Sequence, residues 1–357
     1  MNLGKYSIFS DRTSIFFLIA YLFLSLLVFF VYGLPGLDGT GDIRLGADST
    51  YYMGLAQSKL SGNEVSIDFF SISSILILLG NNLLLVVVFN LLSFLFAYIS
   101  TIRCFNLDKS TFLFWVFINP MFMTAWITPS KEILAFVAIM YLNCFIKSRK
   151  YFYVFLAGLF AISARYQLFF VLILFTILIS NLYHFQGKRS LILASFTLLI
   201  SFSYPYISGY LLGDEINGAI NYYFDTSTGG GMIILLNDLQ NRGLFFVSLI
   251  PKVLLNLIGN IPKIQDCFSI TKEPDGQYDF YNTWITIGHQ ICILTMFIKA
   301  CVSRKLKIDL SNDFTYYICI HVIFFAITPF VQPRYMFPIY ATLALKLSQK
   351  FDQKFTR

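Results

Sequence analysis

Residues 151–182 read YFYVFLAGLFAISARYQLFFVLILFTILISNL, and a single cation, Arg165, interrupts an otherwise apolar run. The run is too long for one membrane span, which needs about 20 residues as an α-helix. It fits two short spans joined at Arg165. Its residues do not alternate between polar and apolar, as the strands of a transmembrane barrel would. Inside hydrocarbon a segment must satisfy its own backbone N–H and C=O groups, so the run is expected to be helical. An ionisable side chain at such depth is costly and marks a functional candidate. The structural alternative is that the guanidinium snorkels to the interface.

The same texture extends outward along the chain. Of 357 residues, 57% are hydrophobic and 13% are charged, with a mean hydropathy of +0.69. A soluble domain carries about 25% charged residues. Ten spans are expected, at roughly 14–34, 82–102, 111–127, 133–147, 151–164, 167–183, 190–212, 281–300, 313–330 and 335–349. Two further apolar stretches, 69–80 and 244–258, are short or interrupted and read as re-entrant or interfacial helices; Pro251 and Lys252 interrupt the second. The first run, Ser14 to Leu34, is too long for the apolar core of a signal peptide and lacks a small-residue cleavage site, so it reads as a retained span. The six cysteines form no CxxC or Cys/His zinc spacing. The fold class expected is an all-α polytopic membrane protein, built as one transmembrane domain over 1–357.

The lysine and arginine bias sets the orientation. With the N-terminus in the cytoplasm, about 17 of the 26 basic residues fall inside and about 9 outside. The inside loops hold Arg103 and Lys109, Lys147, Arg149 and Lys150, Lys188 and Arg189, and Arg304, Lys305 and Lys307. An even number of spans returns the basic C-terminal tail to the cytoplasm. The location expected is a bacterial inner membrane, with two long periplasmic segments at 35–68 and 213–280. The net charge of +7 is then a product of topology, and no nucleic-acid partner is expected.

Several polar residues fall on the outer side. Asp48, in the stretch Gly46-Ala47-Asp48-Ser49-Thr50-Tyr51-Tyr52, precedes a short helical pattern. It reads as a helix N-cap or as a carboxylate general base at the membrane surface; the two are compatible. In Thr128-Pro129-Ser130-Lys131-Glu132, Thr128 or Ser130 can cap a helix and Pro129 suits its first turn. Lys131 there opposes the helix dipole, a conflict that a bound anion would resolve. Gln332-Pro333-Arg334-Tyr335 lies on the same side, with interfacial anchoring as its structural alternative. Lys131, Arg165 and Arg334 thus come to one face from three hairpins, and arginine recognises phosphate bidentately. His289 lies near the outer half of its span, where it reads as catalytic or as packing; His321 is assigned no role. Arg242 and Lys252 could bind an acidic group or snorkel. Tyr278, Tyr281 and Trp284 read as sugar-stacking or belt aromatics, and Asp38 and Asp42 as solvated loop acids. Gly229-Gly230-Gly231 reads as a loop tip.

An acidic residue in the first external loop followed by aromatics resembles the Asp/Glu-x-x-Tyr region of GT-C membrane glycosyltransferases. Arg334-Tyr335-Met336-Phe337-Pro338 is similar to a late-helix Arg-Tyr-x-x-Pro pattern of that superfamily. The many-spanned, Phe/Leu/Ile-rich character resembles O-antigen and exopolysaccharide repeat-unit polymerases. Ser49 follows Asp48 where the superfamily pattern has a second acidic residue, and neither a metal nor another cofactor is expected. The resemblance implies a polymerase joining undecaprenyl-diphosphate-linked oligosaccharides at the periplasmic face, in lipopolysaccharide biosynthesis. Asp48 would activate the acceptor hydroxyl. Lys131, Arg165 and Arg334 would hold the diphosphate, with Tyr51, Tyr52, Glu132, Tyr335 and His289 as further substrate-binding residues. The bilayer and a chain-length regulator protein are the other partners implied. The alternatives are a transferase adding one sugar from a polyprenyl-phosphate donor, and a flippase or transporter for a lipid-linked saccharide.

Overall fold

The computed structural model describes residues 12–31, 47–180, 185–211, 230–258, 279–306 and 309–350. It is all-helical, 82% helix with no strand among the described residues. The helices are α1 (Arg12–Val31), α2 (Ala47–Leu60), α3 (Ile72–Leu78), α4 (Leu83–Cys104), α5 (Lys109–Phe117), α6 (Pro120–Ile127), α7 (Lys131–Ser148), α8 (Tyr151–Ala164), α9 (Tyr166–Ile179) and α10 (Arg189–Leu211). Then follow α11 (Gly230–Asn241), α12 (Phe245–Ile258), α13 (Asp279–Val302), α14 (Asp313–Ala326) and α15 (Phe337–Ser348).

Helices fall where the apolar runs lie, but many are shorter than a span. Only Leu83–Cys104 and Thr283–Val302 are long and apolar enough to cross a membrane alone, among the described residues. A third crossing results if α5 and α6, bent by 80°, count as one. The ten expected spans are therefore a count of apolar segments, several of them only 14 residues long.

The local chemistry explains the breaks. Span 111–127 is cut at Asn119, whose extended backbone precedes Pro120; proline removes a helical N–H and disfavours α geometry in the residue before it. Asn119 caps the new helix, its side chain accepting from Met121 N. Asn82, Asp108, Ser130 and Asn312 cap α4, α5, α7 and α14 in the same way. Pro129 lies before the Ser130 cap rather than inside the first turn as expected, because Ser130 Oγ takes the Glu132 N–H. At Arg165 the chain is extended, ending α8 and starting α9 at one residue. The two helices fold back on each other: a Cβ on Gly158 would lie 3.3 Å from the Phe169 ring.

The segment 213–280 is not one long loop. It contains α11 and α12, joined at Gly243, whose φ of +80° suits glycine. This glycine also permits close approach, since a Cβ would stand 3.2 Å from Ser201 O.

Helix α7 is the centre of the molecule, with every residue from Ile133 to Ile146 buried. Ala157 and Ala161 of α8 are fully buried, and small residues at four-residue spacing let neighbouring helix backbones approach. On the outside of the α8–α9 hairpin, Phe152, Phe155, Phe170, Ile173 and Ile177 are exposed. That much outward apolar surface suits a lipid surround, which has no penalty for it.

One end of the bundle is tied by basic residues. Arg149 and Arg189 both pair with Asp313. Arg189 also donates to the carbonyls of Leu310 at 2.8 Å and Ser311 at 2.7 Å. Asp108 N donates to Ser348 O at 2.8 Å, and Lys350 N donates to Asn106 O at 3.1 Å. The turns at 128–132, 165 and 327–336 gather at the opposite end.

Candidate functional site

Glu132 stands in the first turn of α7, fixed by the buried flank of that helix. Its Oε1 accepts from Arg165 Nη2 at 2.8 Å. Its Oε2 accepts from Ser130 Oγ at 2.5 Å. Both side chains of the ion pair are almost buried, 12% exposed for Arg165 and 14% for Glu132. Arg165 therefore turns inward to a partner rather than snorkelling. Its guanidinium also lies 4.7 Å from the centre of the Tyr335 ring, a cation–π distance.

These groups pack with Arg334 in a closed seam that has no room for a water molecule, and its other walls are Ala135, Leu168, Phe325 and Pro338. Two guanidiniums, one carboxylate and one phenol thus meet between apolar walls. Arg334 comes from a short 3₁₀ turn, Pro333–Met336, and its Nε donates to Gln332 Oε1 at 2.5 Å. A small recess of about 10 Å³ lies on the other side of Ser130. It is lined by Ile72, Ile75, Leu76, Val86, Phe89 and Leu134, with Asn90, Pro129 and Ser130 as its polar members.

Lys131 points to the neighbouring helix α2, its Nζ 4.8 Å from the centre of the Tyr52 ring. Tyr52 is buried, whereas Tyr51 is exposed and meets Tyr52 edge-on. Ser49 Oγ donates to Pro129 O at 3.1 Å, which docks the start of α2 on the 128–132 turn. Asp48 belongs to that same first turn of α2. Its side chain, like Asp38, Asp42, Tyr278 and the Tyr281 ring, lies outside the described residues. Glu132 places a carboxylate in the same first turn as Lys131.

The turn carrying Arg334 and Tyr335 is held by six buried side chains. Gln240 Nε2 donates to Ile327 O at 2.6 Å, Lys252 Nζ to Thr328 O at 3.1 Å, and Asn237 Nδ2 to Pro329 O at 3.0 Å. Asn256 Oδ1 accepts from Gln332 N at 3.0 Å. His289 Nε2 meets Pro333 O at 3.3 Å, and His321 Nε2 meets Tyr335 O at 2.9 Å. A carbonyl can only accept, so both imidazoles carry their proton on Nε2 when neutral. Their Nδ1 atoms then accept, from Asn119 Nδ2 at 2.9 Å in His289 and from the Tyr317 hydroxyl at 3.1 Å in His321. His289, expected among the substrate-binding residues, is fully buried with both ring nitrogens engaged and lies against Pro333.

Lys252 is likewise neither snorkelling nor open to a ligand. It is fully buried, and it also donates to Gln240 Oε1. Arg242 pairs with Asp238 one turn earlier at 2.9 Å, on the surface. Asn237, Gln240 and Asn256 were missed, yet they had a readable signal: Asn237 and Gln240 are three apart, and Asn256 is four from Lys252, so each pair shares one helix face.

Comparison with protein-family models, with curated proteins and with solved structures found no match.

Proposed function

We propose that this chain is an inner-membrane glycosyltransferase that polymerises undecaprenyl-diphosphate-linked oligosaccharides, an O-antigen polymerase acting at the periplasmic face. The observation that carries the reading is the meeting of Arg165 and Arg334, from two separate hairpins, in one apolar-walled seam. Two planar forks match the oxygens of a diphosphate, and apolar walls suit the start of a prenyl chain.

Helix length supports a membrane setting for this seam. In this reading the shorter apolar helices also enter the membrane, beside the two that are long enough to cross it alone. A helix of 14 residues, as in α8, α9 and α14, rises about 21 Å, less than the roughly 30 Å of bilayer hydrocarbon.

In the reaction, a sugar hydroxyl of one lipid-linked unit attacks the anomeric carbon of the other. The bond from that carbon to the diphosphate oxygen breaks, and polyprenyl diphosphate leaves. Asp48 takes the hydroxyl proton. Arg165 and Arg334 offset the charge that grows on the leaving diphosphate. A flippase needs openings toward both faces; the polar groups of this seam sit toward one.

The test uses purified protein in vesicles with undecaprenyl-diphosphate-linked repeat units. Wild type should release one undecaprenyl diphosphate for each new linkage. Products extended by one sugar only, or lipid movement without linkage, would contradict the polymerase reading.

A further inference from the structure

We propose that Cys104 and Cys144 form a redox-active dithiol at the inner end of the bundle, in which Cys104 reacts with a peroxide and Cys144 closes the disulfide. This modification site lies outside the seam around Glu132 and does not depend on the proposed glycosyl transfer.

Cys104 is the last residue of α4, and Cys144 lies on α7, the helix at the centre of the molecule. The two helices touch at this level: Thr101 Oγ1, one turn before Cys104, lies 3.7 Å from Cys144 Sγ. A helical side chain leans back over the preceding turn. The Cys104 thiol therefore points toward the level of Thr101, and it comes within hydrogen-bonding reach of the Cys144 thiol. The pair is asymmetric. Cys144 is fully buried, whereas Cys104 is partly exposed. The hydroxyls of Tyr153 and Ser148 also face the Cys104 sulfur, and the Lys150 ammonium is near. Hydrogen-bond donors and a cation favour the thiolate, which is the reactive form. A buried cysteine alone is a small, inert packing residue; Cys144 differs in having an accessible thiol in front of it. Cys292, Cys301 and Cys319 lie elsewhere, on α13 and α14.

The chemistry balances with hydrogen peroxide as the oxidant. The Cys104 thiolate attacks one peroxide oxygen, the O–O bond breaks, and hydroxide leaves to take up a proton as water. Cys104 is then a sulfenic acid. The Cys144 sulfur gives up its proton and attacks the Cys104 sulfur; the S–O bond breaks and a second water leaves. The sulfurs lose the electron pair that the peroxide gains. A thiol reductant reverses the bond by exchange. The topology expected from the lysine and arginine bias puts this end in the cytoplasm. Thiols are kept reduced there, so the disulfide is a transient state that follows the oxidant. While it lasts, it fastens the end of α4 to α7.

The experiment treats the full chain in nanodiscs with hydrogen peroxide, alkylates the remaining thiols and maps the peptides by mass spectrometry, with and without dithiothreitol. Wild type should lose both thiols together and give a linked peptide pair joining Cys104 to Cys144, released by the reductant. C144A should stop at the first step, with Cys104 as a sulfenic acid trapped by dimedone. C104A should keep Cys144 as a thiol at the same peroxide dose, because burial hides it. Absence of the linked pair from oxidised wild type overturns the proposal. So does a Cys104 that gives no dimedone adduct in folded C144A, or a Cys144 oxidised as fast in C104A as in wild type. If C144A does not fold, C144S, closer in size and polarity, carries the same prediction and the same risk.

Discussion

Arg165 balances the Glu132 carboxylate, and in the proposed function it also faces the leaving diphosphate. Removing it leaves Glu132 without that ion pair, at a cost of about 3–5 kcal/mol of stability. If the proposed function holds, turnover should also fall by about 10²–10³-fold. The double variant R165M/E132Q separates them: thermal stability in detergent should recover toward wild type, while glycan polymerisation stays lost. R165K keeps the charge but not the planar fork, and should still reduce activity by about tenfold or more. Full activity in R165K would mean that charge alone suffices. Lys252 belongs to the same scale. K252M frees Thr328 O and Gln240 Oε1 in a buried place, at a cost of about 1–3 kcal/mol. The expected readout is faster maleimide labelling of a V331C reporter, since Val331 is buried in the wild-type turn. Arg165 and Arg334 were legible in the sequence because a cation stands out in an apolar run. The Glu132–Arg165 pair was not, because it joins residues 33 apart on different helices and no local spacing encodes it.

The apolar runs announced the helices but not their bends or lengths. The 80° break at Asn119–Pro120 could be suspected from proline alone, yet its use becomes clear only against α13. There Gly288 faces Pro120 so closely that a Cβ would lie 2.7 Å from the proline Cγ. G288V should cost about 1–3 kcal/mol through overpacking against a rigid ring. Because Asn119 and His289 meet at this contact, the variant should also loosen the turn at Pro333. A thermal melt of G288V equal to wild type would contradict this packing. In the α11–α12 hairpin the sequence marks the second helix as an interrupted apolar stretch, but not what its polar residues do. Asn237, Gln240, Lys252 and Asn256 face inward and satisfy the backbone of the 327–332 turn. Backbone groups at membrane depth need such partners.

Among the described residues, Arg149 and Arg189 meet Asp313 at one end of the bundle, and Arg165 meets Glu132 at the other. The lysine and arginine bias is legible in the sequence. The lengths of the helices are not, because caps and breaks determine them. The expected topology is checked by labelling intact cells with an impermeant maleimide, in a background lacking the six native cysteines. A cysteine at the exposed Asn63 should react from outside, and one at the exposed Ser303 should react only after the membrane is opened. The opposite pattern would invert the site to the cytoplasmic face. The most direct measurement of the central claim is the glycan ladder of cells lacking this gene, complemented with wild type, R165A or D48A at matched membrane levels. Loss of long chains with single repeat units retained, restored by wild type and by neither variant, is the expected result. A ladder unchanged by the deletion itself would contradict the polymerase reading outright.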